Sequence, residues 1–226
     1  MSYAQFVELA AKLDVSRSSH NWKTFPGNWD KLNTHTLYAS GNQWGIPDLP
    51  QATVVPERLV AYNDRHACDT SKPGDAVHFF LDDYRFETVW SKPQRPLSRL
   101  QRVGVALTPD FSLWHEMPLA MQLWQVYRSR WCGLWMNSHG VQVIPTVSWS
   151  TPDSYDFAFA GIPERGVVAI SSVGIRGDEA KGNYLDGIEE MLERLRPRDV
   201  LIYGRGLGED KLFHADFHYF KTRWDM

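Results

Sequence analysis

At 226 residues, with 43% hydrophobic and 23% charged, the chain has the length of one ordinary domain and excludes the weakly hydrophobic, highly charged make-up of a disordered protein. A formal charge of −3 excludes a global attraction to nucleic acid or anionic membrane, so any such contact must come from local arginine clusters. The two cysteines, Cys68 and Cys132, have no paired spacing, which excludes a disulfide framework and a four-thiolate zinc site and predicts an intracellular protein.

The chain opens on Met1 to Phe6 without the basic region or apolar core of a signal peptide, and no apolar run is long enough to span a bilayer. A cytoplasmic location with no membrane partner is expected. Phe6, Leu9, Ala10 and Leu13 have helical spacing, and residues 21–50 are rich in Asn, Gly, Pro and Trp. Residues 1–50 are therefore read as a helix and a Trp-rich wrapping arm, with residues 51–226 as the folded domain.

From Leu59 onward short β-branched or aromatic runs alternate with helical periods, the pattern of βαβ units and a mainly parallel sheet. Strands are expected over Leu59–Tyr62, Ala76–Leu81, Gly104–Leu107, Val143–Val147, Val167–Ile170 and Val200–Tyr203. A long helix is expected from Pro118 to Ser138, with Ala120, Trp124, Tyr127, Trp131 and Leu134 as its buried face and Gly140 as its stop. A second helix, Asp178 to Arg196, buries Tyr184, Leu185, Ile188, Leu192 and Leu195 and ends at Pro197. Six strands fall short of a complete barrel, and no Gly-rich dinucleotide fingerprint follows the first. The fold class read from this is α/β, a compact or incomplete TIM-barrel-like (β/α) fold.

Every expected strand ends in polar or glycine residues, and in parallel α/β folds ligands bind at that rim. Asp82 and Asp83 follow the second strand, Asp110 the third, Ser148 and Trp149 the fourth, and Gly204-Arg205-Gly206 the sixth; Asn63 follows the first. Asp82, Asp83 and Asp110 are the candidate catalytic carboxylates, because acids brought close raise each other's pKa and divide acid, base and nucleophile roles. Their bland alternative is the N-cap of the next helix. Asp83, Glu87 and Asp110 are candidate ligands for magnesium or manganese. Asn63, Tyr84, Ser148, Trp149, Gly204, Arg205 and Gly206 are candidate substrate contacts, with Trp149 as a stacking platform and the glycine turn admitting a phosphate.

Other groups read as less specific. Arginines at 95, 99 and 102, at 128 and 130, and at 194, 196 and 198 are expected to be solvated helix-end cations. His214 and His218, four apart, would share a helix face but lack the glutamate of a zincin. His78 lies within an apolar strand and is expected to be a hydrogen-bonded core histidine.

The segments Val77-His78-Phe79-Phe80-Leu81-Asp82-Asp83-Tyr84, Thr108-Pro109-Asp110-Phe111-Ser112-Leu113, Pro118 to Trp124 and Val143 to Trp149 resemble a family of domains of unknown function found in bacteriophages, plasmids and bacterial genomes. The resemblance spans about Ile46 to Gly206 and implies a mobile-element protein working in a bacterial host's cytoplasm. Asp82, Pro109-Asp110 and Gly204-Arg205-Gly206 also resemble strand ends of tRNA-guanine transglycosylase-like barrels. Ser148-Trp149 replaces the Gln-Gly of those enzymes, and their zinc cysteines are absent. Three functions follow as expectations: an enzyme acting on a nucleotide or nucleic-acid substituent, a divalent-metal-dependent hydrolase, and a phage protein that binds and diverts a host protein.

Overall fold

The computed structural model describes residues 32–34 and 36–222. The expected N-terminal helix and the first part of the arm, with Trp22 and Trp29, lie outside the described residues. The chain divides after Ala39, and the elements below belong to the part that follows.

The described residues contain seven strands: β1 (Arg58–Ala61), β2 (Asp75–His78), β3 (Val105–Leu107), β4 (Gln142–Ile144), β5 (Val167–Ser171), β6 (Asp199–Tyr203) and β7 (Asp216–Phe220). Between them run α1 (Arg65–Asp69), α2 (Thr88–Ser91), α3 (Leu97–Val103), α4 (Leu119–Ser138), α5 (Tyr155–Ala158), α6 (Asp178–Leu195) and α7 (Glu209–Leu212). All pairings are parallel, in one sheet ordered β1-β2-β3-β4 and another ordered β5-β6-β7. The sheets meet where Thr146 pairs with Ala169: the Val147 N–H donates to the Ala169 carbonyl and the Ala169 N–H to the Pro145 carbonyl, each at 2.8 Å. Among the described residues no pairing joins β7 to β1, so the strands do not close a barrel.

Strand alternation sends one set of side chains to each side of the sheets. Leu59, Ala76, Val105, Leu107, Ile144, Val167, Ala169, Leu201 and Phe220 form one cluster to which all seven strands contribute. Contacts between strands of different sheets share this interior. Tyr203 of β6 lies 4.4 Å from the His78 ring of β2 and 5.2 Å from Phe80, ring centre to ring centre. On the other side Val168, Ile170, Val200 and Ile202 pack against Tyr184, Ile188, Met191 and Leu195 of α6. Each such fully buried aliphatic side chain contributes about 1.5–3 kcal/mol relative to exposure.

The six expected strands are all found, within a few residues at their ends. β7 is the addition, and it corrects the reading of His214 and His218 as a helix pair. His218 stands in the strand, where Asp216-Phe217-His218-Tyr219-Phe220 has the aromatic content of a strand, and its Nε2 meets Asp199 Oδ1 of β6 at 2.8 Å.

The two long helices form where expected, but the buried face of α4 differs. Of the expected face Trp131 is buried, but so are Gln122, Val126, Ser129, Arg130, Gly133 and Met136, whereas Ala120 is exposed and Tyr127 and Leu134 are half-buried. An apolar count misses this face because three of its members are polar and find partners inside. Trp124, Tyr127 and Trp131 pack around Trp90 of α2, with Trp90 5.3 Å from Trp124 and 5.2 Å from Trp131.

Candidate functional site

The rim at the carboxyl ends of β3 and β4 is tied together before the site begins. Thr108 Oγ1 accepts from the Thr146 N–H at 2.9 Å and from Ser129 Oγ at 3.2 Å, and Thr146 Oγ1 donates to the Thr108 carbonyl at 2.7 Å. Two residues beyond each threonine stand Asp110 and Ser148. The clamp thus sets them side by side, and the Ser148 hydroxyl donates a hydrogen bond to Asp110 Oδ1.

Asp83 arrives from β2, in the 3-10 turn Asp83–Arg85 that follows the strand. Its carboxylate accepts the Ser112 N–H at 3.2 Å, the Ser112 hydroxyl at 2.8 Å and the Gln125 amide at 3.4 Å. Two serine–aspartate pairs therefore stand on neighbouring strand ends. Burial and, after the opposing Ser148 hydrogen bond, the charge of Asp83 push the Asp110 carboxyl up to about 6. The nearby Arg130 guanidinium works in the opposite sense.

Arg130 is buried rather than solvated, which corrects the helix-end reading. Its guanidinium donates to the carbonyls of Thr146 (2.9 Å), Ala158 (2.9 Å) and Ala160 (3.2 Å) and to Ser129 Oγ (3.3 Å), and desolvation lowers its pKa to about 10. It fastens α4 to the end of β4 and to the segment after α5. Arg128 is also engaged: it lies 3.9 Å above the Phe111 ring and donates to both oxygens of Glu87, at 3.1 and 2.9 Å. The other clusters are paired as well, Arg102 with Asp69, Arg194 with Glu190 and Arg196 with Glu164.

The remaining sequence candidates fall in different places. Asp82 is exposed and pairs with Arg85 at 2.9 Å. Tyr84 is 73% exposed, and Asn63 sits in the exposed turn after β1. Glu87 is held by Arg128, and among the described residues no three His, Cys, Asp or Glu side chains are grouped to hold a metal ion. Trp149 is fastened against α6. Its indole N–H donates to the Asn183 carbonyl at 3.0 Å, and its ring lies 6.0 Å from Tyr184, leaving it poorly placed as an open stacking platform.

The glycine turn after β6 makes the sharp bend expected. Gly204 has φ 131 and Gly206 φ 70, and a Cβ on Gly204 would stand 2.1 Å from Ser172 Oγ. Its N–H groups already have acceptors within the chain: Gly206 donates to Ser172 Oγ at 3.3 Å, and Leu207 and Gly208 donate to Glu209 Oε2 at 2.7 and 3.1 Å. Beside the turn, Gly204, Arg205, Tyr219 and Lys221 line an open concavity of about 380 Å³. Cationic side chains, rather than the backbone, are what this turn offers an anion.

Ser112, Gln125 and Arg130 were missed from sequence. Ser112, two residues after Asp110, has the same polar-after-strand placement as Asp110 and Ser148. Arg130, inside Ser129-Arg130-Trp131-Cys132-Gly133, was flanked by residues a buried face would use. Gln125 carried no signal, since a lone glutamine on a helix is an ordinary surface residue.

The rim and its paired serines and aspartates define an α/β protein with a polar site at the ends of parallel strands. Comparison with known proteins then places the chain: it belongs to the family of the domain of unknown function DUF4417, which matches residues 38–221. It is 50% identical over 212 residues to the "Gene 1 protein" of Mycobacterium phage D29, covering 93% of this chain and 78% of that protein. It is 48% identical over 212 residues to the "Gene 1 protein" of Mycobacterium phage L5, covering 93% of each. The resemblance to a phage domain family is thereby borne out. No solved structure matches. Among the described residues no helix is long and apolar enough to cross a membrane.

Proposed function

We propose that the two sheets form an incomplete barrel and that the protein is a phage enzyme acting on a nucleotide or nucleic-acid substituent by proton transfer at Asp110. The observation that carries this reading is a carboxyl with a pKa near 6, hydrogen-bonded to a hydroxyl and facing a second aspartate at the rim. A general acid–base works best with a pKa near the working pH, and an ordinary aspartate near 4 is too weak a base. Asp83, held by Ser112 and Gln125, supplies the neighbouring charge. Arg205 and Lys221 are the groups that would receive a phosphate.

The test is to incubate the protein with nucleoside mono- and triphosphates, oligonucleotides and tRNA, and to follow products by mass spectrometry. Asp110→Asn is expected to lose at least a hundredfold in rate while keeping its circular dichroism, and Asp82→Asn to retain full rate. Full activity in Asp110→Asn would remove the assignment. The same assay with added magnesium or manganese tests the metal-dependent alternative.

A second reading, a protein that binds and diverts a host protein, is favoured by one observation. Trp114, Leu119, Met121 and Trp124 are all exposed along a single stretch before and at the start of α4. Pull-down from host lysate is expected to yield a defined partner that Trp114→Ala with Met121→Ala abolishes.

A further inference from the structure

We propose that Ser148 is the nucleophile of this site, attacking the phosphorus of a phosphoester with Asp110 as its base. The inference rests on the enzymatic reading above and adds a covalent step to it. Three observations carry it. First, Ser148 Oγ is already hydrogen-bonded to Asp110 Oδ1, the contact through which a serine proton leaves. Second, the bond from Ser148 is the single hydrogen bond to the Asp110 carboxyl among the described residues, so the second oxygen is not committed to another donor. Third, the neighbouring pair differs in this respect: Asp83 accepts two donors from Ser112 and a third from Gln125, so its oxygens are occupied and Ser112 is held as a support.

The geometry of the fold favours the same residue. Ser148 is fixed from both sides, because Thr146 is clamped to Thr108 and Trp149 is pinned to the Asn183 carbonyl. It is nevertheless only half-buried, so a substrate can reach it. A hydroxyl whose backbone cannot wander, next to a base and open to solvent, has the placement a nucleophile needs.

The Oγ–P bond forms, the bond from phosphorus to the leaving oxygen breaks, and the serine proton passes to Asp110, which returns it to the leaving alkoxide. Water then attacks the phosphoserine, the P–Oγ bond breaks, Asp110 takes the water proton and gives it to Ser148 Oγ. No oxidant, reductant or further co-reactant is required. The groups facing Asp110 during this cycle are Ser148 from the end of β4, Asp83 from the turn after β2 and Arg130 from α4.

Diisopropyl fluorophosphate is the probe, since it delivers phosphorus to a serine oxygen with fluoride leaving. The intact protein is expected to gain one adduct, mapped by peptide mass spectrometry to Ser148. The adduct is expected to be absent in Ser148→Ala, slowed at least a hundredfold in Asp110→Asn and unchanged in Ser138→Ala, at the C-terminal end of α4. In the wild type the labelling rate is expected to rise tenfold or more from pH 5 to pH 8, a readout independent of whether any variant folds. No adduct at Ser148, or one whose rate ignores both pH and Asp110, would overturn the assignment. A protein whose Ser148→Ala variant turns over substrate while Asp110→Asn does not would lose the nucleophile but keep the acid–base reading. Full turnover in Asp110→Asn would instead remove the acid–base reading itself.

Discussion

Asp110 holds its proton about two pH units higher than a free aspartate, from 3.8 to about 6, because its surroundings penalise the charge. Between those values this carboxyl binds more protons in the native state than in the unfolded chain, so its contribution to folding stability falls as pH rises from about 4 to about 6 and then levels off. Replacing the carboxyl by an amide keeps an acceptor for Ser148 and removes the charge. Asp110→Asn is therefore expected to be more stable than wild type at pH 8, by roughly 1–3 kcal/mol, with the gain gone near pH 4. Urea unfolding at the two pH values measures it. A variant less stable at pH 8 would mean that Arg130 and Ser148 outweigh the burial of the charge. A site residue that costs stability in its charged form is common where function sets the choice.

At the scale of single elements, the contact between β4's extension and α6 decides how close the helix can come. Gly187 lies on the buried face of α6, and a Cβ there would stand 2.0 Å from Trp149 Nε1. Alanine improves helix propensity by about 1 kcal/mol, but the clash forces either the ring or the helix to move, at a cost of about 1–3 kcal/mol. The clash is expected to win. Gly187→Ala should lower the melting temperature and shift the Trp149 indole N–H resonance as its bond to Asn183 lengthens; an unshifted resonance with raised stability would reverse the ranking. At the start of β2, Asp75 accepts Arg58 Nε at 2.9 Å, Arg58 Nη2 at 2.6 Å and the Lys72 N–H at 2.8 Å, which hold its carboxyl below the usual range despite burial. Asp75→Asn leaves Arg58 without a matching partner and is expected to cost about 1–2 kcal/mol at pH 7. Because the folded pKa is lowered, that difference is present above about pH 4 and is lost as pH falls through the folded value. A chemical-denaturation series over pH 2–7 reads both the size and the window.

These elements also show what a sequence can and cannot reveal. The six expected strands announce themselves because apolar runs buried on both faces are nearly continuous, and Asp83, Asp110 and Ser148 because polar residues stop those runs. The α6 stripe, Tyr184 to Leu195, follows a simple helical period. The α4 face does not, since Gln122, Ser129 and Arg130 are buried through hydrogen bonds to distant carbonyls and hydroxyls that no local period encodes. Trp149 and the glycine turn drew functional readings from residue type alone. Their occupation by Asn183, Ser172 and Glu209 depends on tertiary contacts more than thirty residues away in two cases and on the local course of the turn in the third. β7 was hidden for another reason: its histidine sits among half-exposed aromatics, so neither alternation nor a continuous apolar run stands out.

At the scale of the molecule, the two sheets are joined among the described residues by little backbone, the Thr146–Ala169 bridge, and by the interior they share. His78 stands in that interior against Tyr203, with its Nδ1 accepting the Phe80 N–H at 3.2 Å, so the neutral ring carries its proton on Nε2. Burial pushes its pKa down to about 4 from 6.5. The unfolded chain therefore binds the extra proton first, and stability is lost as pH falls from about 6.5 to about 4, by up to ~3 kcal/mol. Asp110 has the opposite slope over much of the same range, so the wild-type profile between pH 4 and 6 is expected to be nearly flat. Each substitution should uncover the other group: Asp110→Asn a steep acid loss, His78→Gln a gain on acidification. If the shared interior holds the sheets together, hydrogen exchange in Asp110→Asn at pH 4.5 is expected to show the amides of β2 and β6 losing protection together. Loss confined to β1–β4, with β5–β7 unchanged, would mean that the His78–Tyr203 contact lies between two units that unfold separately, and that the bridge at Thr146 is too weak to couple them.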